Sequence, residues 1–249
     1  MKQEKPVRVQ KVIADRGYAS RREAETWIEE SRVTVNGTTI SLGDKCLPIQ
    51  DDIRVDGKRI RRNQQPKMVF AMNKPRGYLC TNYDPHGGRT VFDLLPPELQ
   101  TAKLSCVGRL DKESEGLLLL TNDGELQNKL AHPSYRVRKI YHAQLNIPLK
   151  ESDVPKLIRG ITWESQQLSV EKIFPISDRV KEDWKNLEVT MHHGKKREIR
   201  RLFYAFGYDV KRLRRVQIGN LRLRSIPRGQ FKPLEKKDID LLFQSSYSK

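Results

Sequence analysis

Three cysteines in 249 residues, at positions 46, 80 and 106, are too few and too scattered for a disulfide framework or a zinc module. No segment approaches the ~18 consecutive apolar residues of a membrane span. Met1 to Gln10 carries no apolar block of the signal-peptide kind, so a soluble, cytoplasmic protein without a membrane partner is expected. Acidic residues are in deficit: 31 Asp and Glu stand against 48 Lys and Arg, a net charge of +17. Apolar residues make up only 37%, yet Val, Leu and Ile recur in periodic runs, which argues for a packed core rather than disorder. His192 and His193 are adjacent and would point to opposite faces of a strand, so no metal is expected.

The positive charge is concentrated. Residues 192–232 hold 13 Lys and Arg against two acids, a local net of +11, whereas residues 1–62 carry a net of only +4. A cluster of that kind is rewarded by a polyphosphate backbone through counterion release. Gly207 and Gly219 interrupt the segment, which argues against a basic helix lying on a membrane.

Residues 1–62 read as a small unit of two helices followed by short strands. Val9, Val12 and Ile13 form a helical stripe that stops near Gly17. Ser20-Arg-Arg-Glu23 is a capping box, and Ala24, Trp27 and Ile28 share the helix face that follows it. Asn36-Gly37 and Asp56-Gly57 each follow a short alternating run and signal hairpin turns. Residues 63–67 read as a linker, 68–243 as a larger unit and 244–249 as a frayed tail.

In the larger unit the patterning predicts strands over 68–73, 104–108, 116–121, 138–147, 186–192 and 212–218. It predicts helices over 123–131, 153–159, 196–206 and 236–243. Strands and helices intermingle without a regular βαβ series, so an α+β fold with a mixed, largely antiparallel sheet is expected.

The most informative stretch is Gly108-Arg-Leu-Asp-Lys-Glu-Ser-Glu-Gly-Leu-Leu-Leu-Leu-Thr-Asn-Asp-Gly124, a loop running into a buried strand. An aspartate fixed at such a position, Asp111, suits a nucleophile or an acid–base group. By residue type alone it also suits an Asx turn or an ion pair with Arg109.

The whole string resembles the signature of ribosomal RNA pseudouridine synthases of the RsuA/RluB type. Asn73-Lys-Pro-Arg-Gly-Tyr78, Arg138-Lys-Ile-Tyr141 and Lys196-Arg-Glu-Ile-Arg-Arg-Leu-Phe203 follow the same family in the same order. Ala19 to Gly37 resembles the S-four-type alpha-L RNA-binding module. The resemblance implies isomerisation of a uridine within RNA, with Asp111, Tyr141 and Arg200 as catalytic residues. Arg201 is the alternative to Arg200, since consecutive helix positions do not both face inward. Arg109, Leu110 and Leu221 are the residues expected at the base pocket.

RNA contacts are expected from Arg8, Lys11, Arg21, Arg22 and Arg32 in the first unit. Lys195, Lys196, Arg197, Arg201, Lys211, Arg212, Arg214 and Arg215 are expected to make them in the second. The reaction involves no redox change and no gain or loss of a group, so no cofactor is expected. The resemblance implies structured ribosomal RNA, or a ribosome assembly intermediate, as the partner, and a monomer is expected. Glu198, where many relatives carry glutamine, together with Cys80 to Pro85 and Thr90 to Leu95, resembles the large-subunit branch. The rival readings are a small-subunit enzyme, a non-catalytic rRNA-binding protein on the same fold, and a DNA-binding protein.

Overall fold

The structure is a computed structural model that describes residues 4–61, 66–178 and 181–244. Most of the expected linker and of the expected frayed tail lies outside the described residues. The chain separates into two compact units, Met1–Pro66 and Lys67–Lys249.

The first unit holds β1 (Val7–Arg8), α1 (Val9–Asp15), α2 (Arg21–Glu29), β2 (Val33–Val35), β3 (Thr38–Thr39), β4 (Lys45–Cys46), β5 (Ile53–Val55) and β6 (Lys58–Arg59). Ser20 caps α2 by accepting from the Glu23 amide at 3.2 Å, and the Glu23 carboxylate accepts from the Ser20 amide at 3.2 Å. Asn36-Gly37 and Asp56-Gly57 all have positive φ, as two-residue hairpin turns require, and join β2 to β3 and β5 to β6. Val9, Ile13, Ala24, Val33 and Ile53 are fully buried and form the centre of this unit's core.

The second unit is built on a nine-stranded sheet. Its elements are β7 (Val69–Lys74), α3 (Pro97–Gln100), β8 (Ser105–Val107), β9 (Glu115–Thr121), α4 (Gly124–Ala131), β10 (Lys139–Leu145), α5 (Val154–Arg159), β11 (Ile161–Trp163), β12 (Gln166–Leu168), β13 (Lys172–Asp178), β14 (Lys181–Met191), α6 (Glu198–Ala205), β15 (Val210–Ile218), β16 (Leu221–Arg222), β17 (Phe231–Pro233) and α7 (Lys236–Leu241). Sheet order is β13-β14-β10-β15-β9-β7-β17, with β16 on β15 and β8 on β9. Among the described residues all its pairings are antiparallel except β15 with β9, which run parallel in register at Arg214–Glu115 and Arg215–Gly116.

Leu117 to Leu120 are all 0% exposed, because helices and loops cover both faces of the sheet. Leu118 and Leu120 join Phe70, Met72, Tyr141, Ala143 and Leu213 on one face, with α5 and α6. Leu117 and Leu119 join Val69, Ala71, Leu126, Leu130 and Ile218 on the other, with α4 and α7. Strand alternation thus divides the core into two layers, and it also decides which side chains can meet at a site.

β11 and β12 form a hairpin that the pattern did not announce, because its turn residues Glu164 and Ser165 adopt positive φ without glycine or asparagine. β13 carries Pro175 next to a register shift, and its place at the sheet edge is what tolerates a proline.

Candidate active site

Asp111 sits in the loop between β8 and β9, and this loop is tied down from three sides. Lys74, the last residue of β7 and 0% exposed, donates from Nζ to the carbonyls of Asp111 (3.2 Å), Ser114 (2.8 Å) and Pro75 (3.1 Å). Burial pulls the Lys74 pKa below its ordinary value, while the nearby Cys80 and Asp111 oppose that shift. The lysine of Asn73-Lys-Pro-Arg-Gly-Tyr78 therefore acts on the backbone of the Asp111 loop. On the second side, the Leu110 amide donates to Cys80 Sγ at 3.4 Å. The Cys80 thiol is lowered from its ordinary value, chiefly because Cys106 hydrogen-bonds to it, with Lys74 and Arg215 adding positive charge. On the third side, Glu113 pairs with Arg197 at 2.9 Å and accepts from Arg200 Nη2 through its carbonyl at 3.4 Å.

The third tie comes from α6. Arg197 is its N-cap and holds a left-handed conformation at φ 53°, an uncommon geometry for a side-chain-bearing residue. Ile199, Leu202 and Phe203 bury one face of α6 in the core, which leaves Arg200 half-buried at the boundary. Arg200 Nη1 donates to the Val210 carbonyl at 2.6 Å, and its Nε is buried without a partner. Burial and the neighbouring Arg197 lower its pKa, and Asp111 and Glu113 raise it, so the Arg200 charge faces the Asp111 loop. Arg201 turns the other way, to Glu164 at 2.8 Å, Gln166 and the Trp163 carbonyl. Glu198, 3% exposed, accepts from the Lys195 amide and from His193 Nδ1, each at 2.8 Å. This glutamate shapes the turn entering α6, and it engages His193 while His192 faces Glu171.

Tyr141 is buried on β10 in the same layer as Leu110. Its cross-strand partners are Val189 and Arg215. Cross-strand partners present their side chains to the same sheet face. Arg215 is 2% exposed, donates from Nε to the Leu117 carbonyl at 2.7 Å, and has Nη2 buried without a partner. Its expected role as a phosphate contact is therefore corrected, since the sheet seals it from solvent. Arg212 and Arg214 pair with Gln144 and His142, so alternation puts them on the face opposite Tyr141. There they border a cavity of about 250 Å³, and Arg212 pairs with Glu115.

Leu221 also departs from expectation. Chain reversal at Gly219-Asn220 places it opposite Ile218, in the layer on the far face of the sheet from Leu110 and Tyr141. The leucine on the Tyr141 side is Leu213, paired with Ala143. Its signal was the alternation of Leu213 and Arg215 along β15. Arg109 is exposed beside buried Leu110. Lys195, Lys196 and Lys211 are exposed, and Lys195 reaches the Gln167 carbonyl.

In the first unit Arg8, Arg21 and Arg22 are exposed, and Lys11 pairs with Asp15. Arg32 is committed to its own unit. It grips Asp56 through two bonds of 2.9 and 2.7 Å and stacks over Trp27 at 5.3 Å. No described helix is long and apolar enough to cross a membrane.

Residues 68–205 match the family described as RNA pseudouridylate synthase, and residues 7–48 match the S4 domain. The chain is 37% identical over 239 residues to a ribosomal large subunit pseudouridine synthase B of Vibrio vulnificus, covering 94% of this chain and 74% of that one. It is 38% identical to an uncharacterized RNA pseudouridine synthase of Aquifex aeolicus, covering 96% and 94%. A crystal structure of a pseudouridylate synthase superposes with a TM-score of 0.69 at 28% identity, covering 95% of this chain and 99% of that one. The Asp111 loop thus lies in a matched catalytic domain, and the chain belongs to the RNA pseudouridylate synthase family.

Proposed function

We propose that this protein converts a uridine of large-subunit ribosomal RNA to pseudouridine. The observation that carries the reading is the Asp111 loop, held through its backbone by Lys74 and Cys80 and faced by the Arg200 charge. That arrangement leaves the Asp111 side chain for chemistry. The large-subunit assignment rests on the printed name of the Vibrio relative.

The target base leaves its stack at a cost of a few kcal/mol, which phosphate contacts offset. The Asp111 carboxylate then attacks the ribose or the pyrimidine ring, or stabilises charge as a glycal forms. The bond from ribose to ring nitrogen breaks, the ring turns, and the bond re-forms to carbon-5. The carbon-5 proton leaves for solvent. Arg200 brings a positive charge to the loop that carries the carboxylate. Tyr141 and Leu213 supply the wall against which the ring rests, and the tyrosine hydroxyl assists proton transfer. The freed ring nitrogen takes up a proton in exchange for the one lost at carbon-5, so product and substrate are isomers and no cofactor is called for.

Residues 1–62 act as the RNA-binding unit and 68–243 as the catalytic one. Arg21 and Arg22 occupy the first turn of α2, where the helix dipole disfavours cations by about 0.3–1 kcal/mol each. A phosphate partner reverses that penalty. Lys195, Lys196 and Lys211 contact the backbone near the target.

The test is tritium release from ribosomal RNA labelled at uridine carbon-5, with large- and small-subunit RNA supplied separately. Release from the large-subunit RNA, and none with Asp111→Ala at unchanged RNA affinity, is the expected result. Release from neither RNA, free or in assembly intermediates, refutes the reading. Release from the small-subunit RNA alone refutes the substrate assignment.

A further inference from the structure

Tyr204 is 63% exposed and lines a shallow, open basic cavity. The cavity measures about 360 Å³ and is bordered by Arg197, Arg200, Arg201, Lys211 and Asp209. Even with Glu113 and Glu164 counted beside Asp209, its four cations outnumber the carboxylates and suit it to an anion. Tyr204 meets Trp163 edge-on, with ring centroids 6.4 Å apart and planes at 82°. That contact fixes the orientation of the tyrosine ring while most of the residue stays open to solvent.

Tyr204 follows Arg200 by four positions, so the two side chains lie one above the other on the same face of α6. The helix rise between them is about 6 Å, and a helical side chain leans toward the preceding turn, here toward Arg200. Arg200 in turn reaches the Asp111 loop through the Glu113 carbonyl. The ring therefore shares a helix face with the arginine that reaches the Asp111 loop.

An isolated exposed aromatic is ordinary and calls for no explanation. This one is oriented by a second aromatic and ringed by cations, the combination by which proteins hold unpaired nucleotides. The ion pairs made by Arg197 with Glu113, by Arg201 with Glu164 and by Lys211 with Asp209 involve exposed partners. Such pairs are weak and yield to a phosphate.

We propose that Tyr204 and the surrounding cations form a subsite for one unpaired nucleotide next to the target uridine, its base stacked on the tyrosine ring and its phosphate held by Arg197 and Lys211. This rests on the RNA-modifying reading above and adds a contact that is independent of base identity, since every base offers a π-face. When the target uridine leaves its stack, its neighbour loses a stacking partner, and Tyr204 replaces it.

The probe is the stem-loop that the wild-type enzyme modifies, with 2-aminopurine, whose fluorescence falls on stacking, at each position flanking the uridine in turn. One flanking position is expected to be quenched by the wild type and by Tyr204→Phe, and not by Tyr204→Ala. Tyr204→Ala is expected to bind this RNA about tenfold more weakly. An abasic residue at that position is expected to remove the difference between wild type and Tyr204→Ala. Equal affinities, a loss confined to kcat, or a loss shared by Tyr204→Phe overturns the subsite. If the wild type modifies no ribosomal RNA, the RNA-modifying reading fails instead. The same quenching and affinity measurements on a single-stranded oligoribonucleotide then decide the subsite separately.

Discussion

Replacing Lys74 by methionine removes the ammonium that ties β7 to the Asp111 loop and keeps a side chain of similar length. Three carbonyls lose a donor: those of Pro75, Asp111 and Ser114. The Asp111 carbonyl keeps a second donor, the Ser114 amide at 3.0 Å. Two buried acceptors are thus newly compromised, at ~1–3 kcal/mol each. Relief of the buried charge returns part of this, since burial already disfavours the protonated amine. The net expectation is a destabilisation of about 3 kcal/mol. For a domain of this size that lowers Tm by about 6–12 °C. Because the ammonium holds carbonyls rather than the carboxylate, turnover below the transition should fall far less than in Asp111→Ala. The assay pairs thermal melts followed by circular dichroism with tritium release at 20 °C below the mutant midpoint. An unchanged Tm together with abolished turnover would refute the reasoning, because it would mean that the ammonium acts on the carboxylate itself.

Gly116 has φ +102°, and a Cβ there would lie 2.2 Å from the Arg215 carbonyl oxygen. Gly116→Ala should therefore cost more than about 3 kcal/mol and sharply reduce soluble protein, checked by expression yield and melting. Ser20→Ala should lower the stability of the first unit by about 1 kcal/mol while leaving the melting of the catalytic unit unchanged, as hydrogen exchange by region would report. Lys139 is held near pKa 8 by burial and by Arg215. Between about 8 and the free value of ~10.4 the unfolded chain binds more protons than the folded one, so this group's contribution to stability improves as pH rises through that window. The Tm advantage of Lys139→Met over wild type should accordingly be largest at pH 7 and shrink toward pH 10. Cys80→Ala removes the acceptor of the Leu110 amide and should lower turnover several-fold, with Cys80→Ser restoring most of it.

The elements carried by periodicity or by special backbone chemistry were legible in the sequence. The Ser20 capping box, both glycine turns and the strand around Leu117 to Leu120 could be placed from local residues alone. What local patterning did not convey was the face that each late residue presents. In the run Lys211-Arg-Leu-Arg-Arg215 the basic residues look equivalent, yet pairing with β10 sends Arg215 inward and Arg212 and Arg214 to the opposite face. The same pairing separates Leu213 from Leu221, and it depends on a register that only the assembled sheet defines. The part played by Lys74 was hidden for a related reason, because two of its three acceptors, the carbonyls of Asp111 and Ser114, lie on a loop some 40 positions away. Arg200 and Arg201 were distinguishable only in principle, and the neighbours of α6 give each its direction.

The parallel register between β15 and β9 has a kinetic consequence. It joins residues about 100 positions apart in the chain and extends over two residue pairs, Arg214–Glu115 and Arg215–Gly116. On one side lie β10, β13 and β14, and on the other β7, β8 and β17. Within these groups β10 joins β15 across fewer than about 80 positions and β7 joins β9 across about 50, whereas β17 returns to β7 across about 160. The seam and the β17 return require the longest closures and so complete late. Tyr141 belongs to the first group, and Lys74 and the loop before β9 to the second. During refolding, enzymatic turnover should therefore return with the slowest phase, after most of the secondary structure has formed.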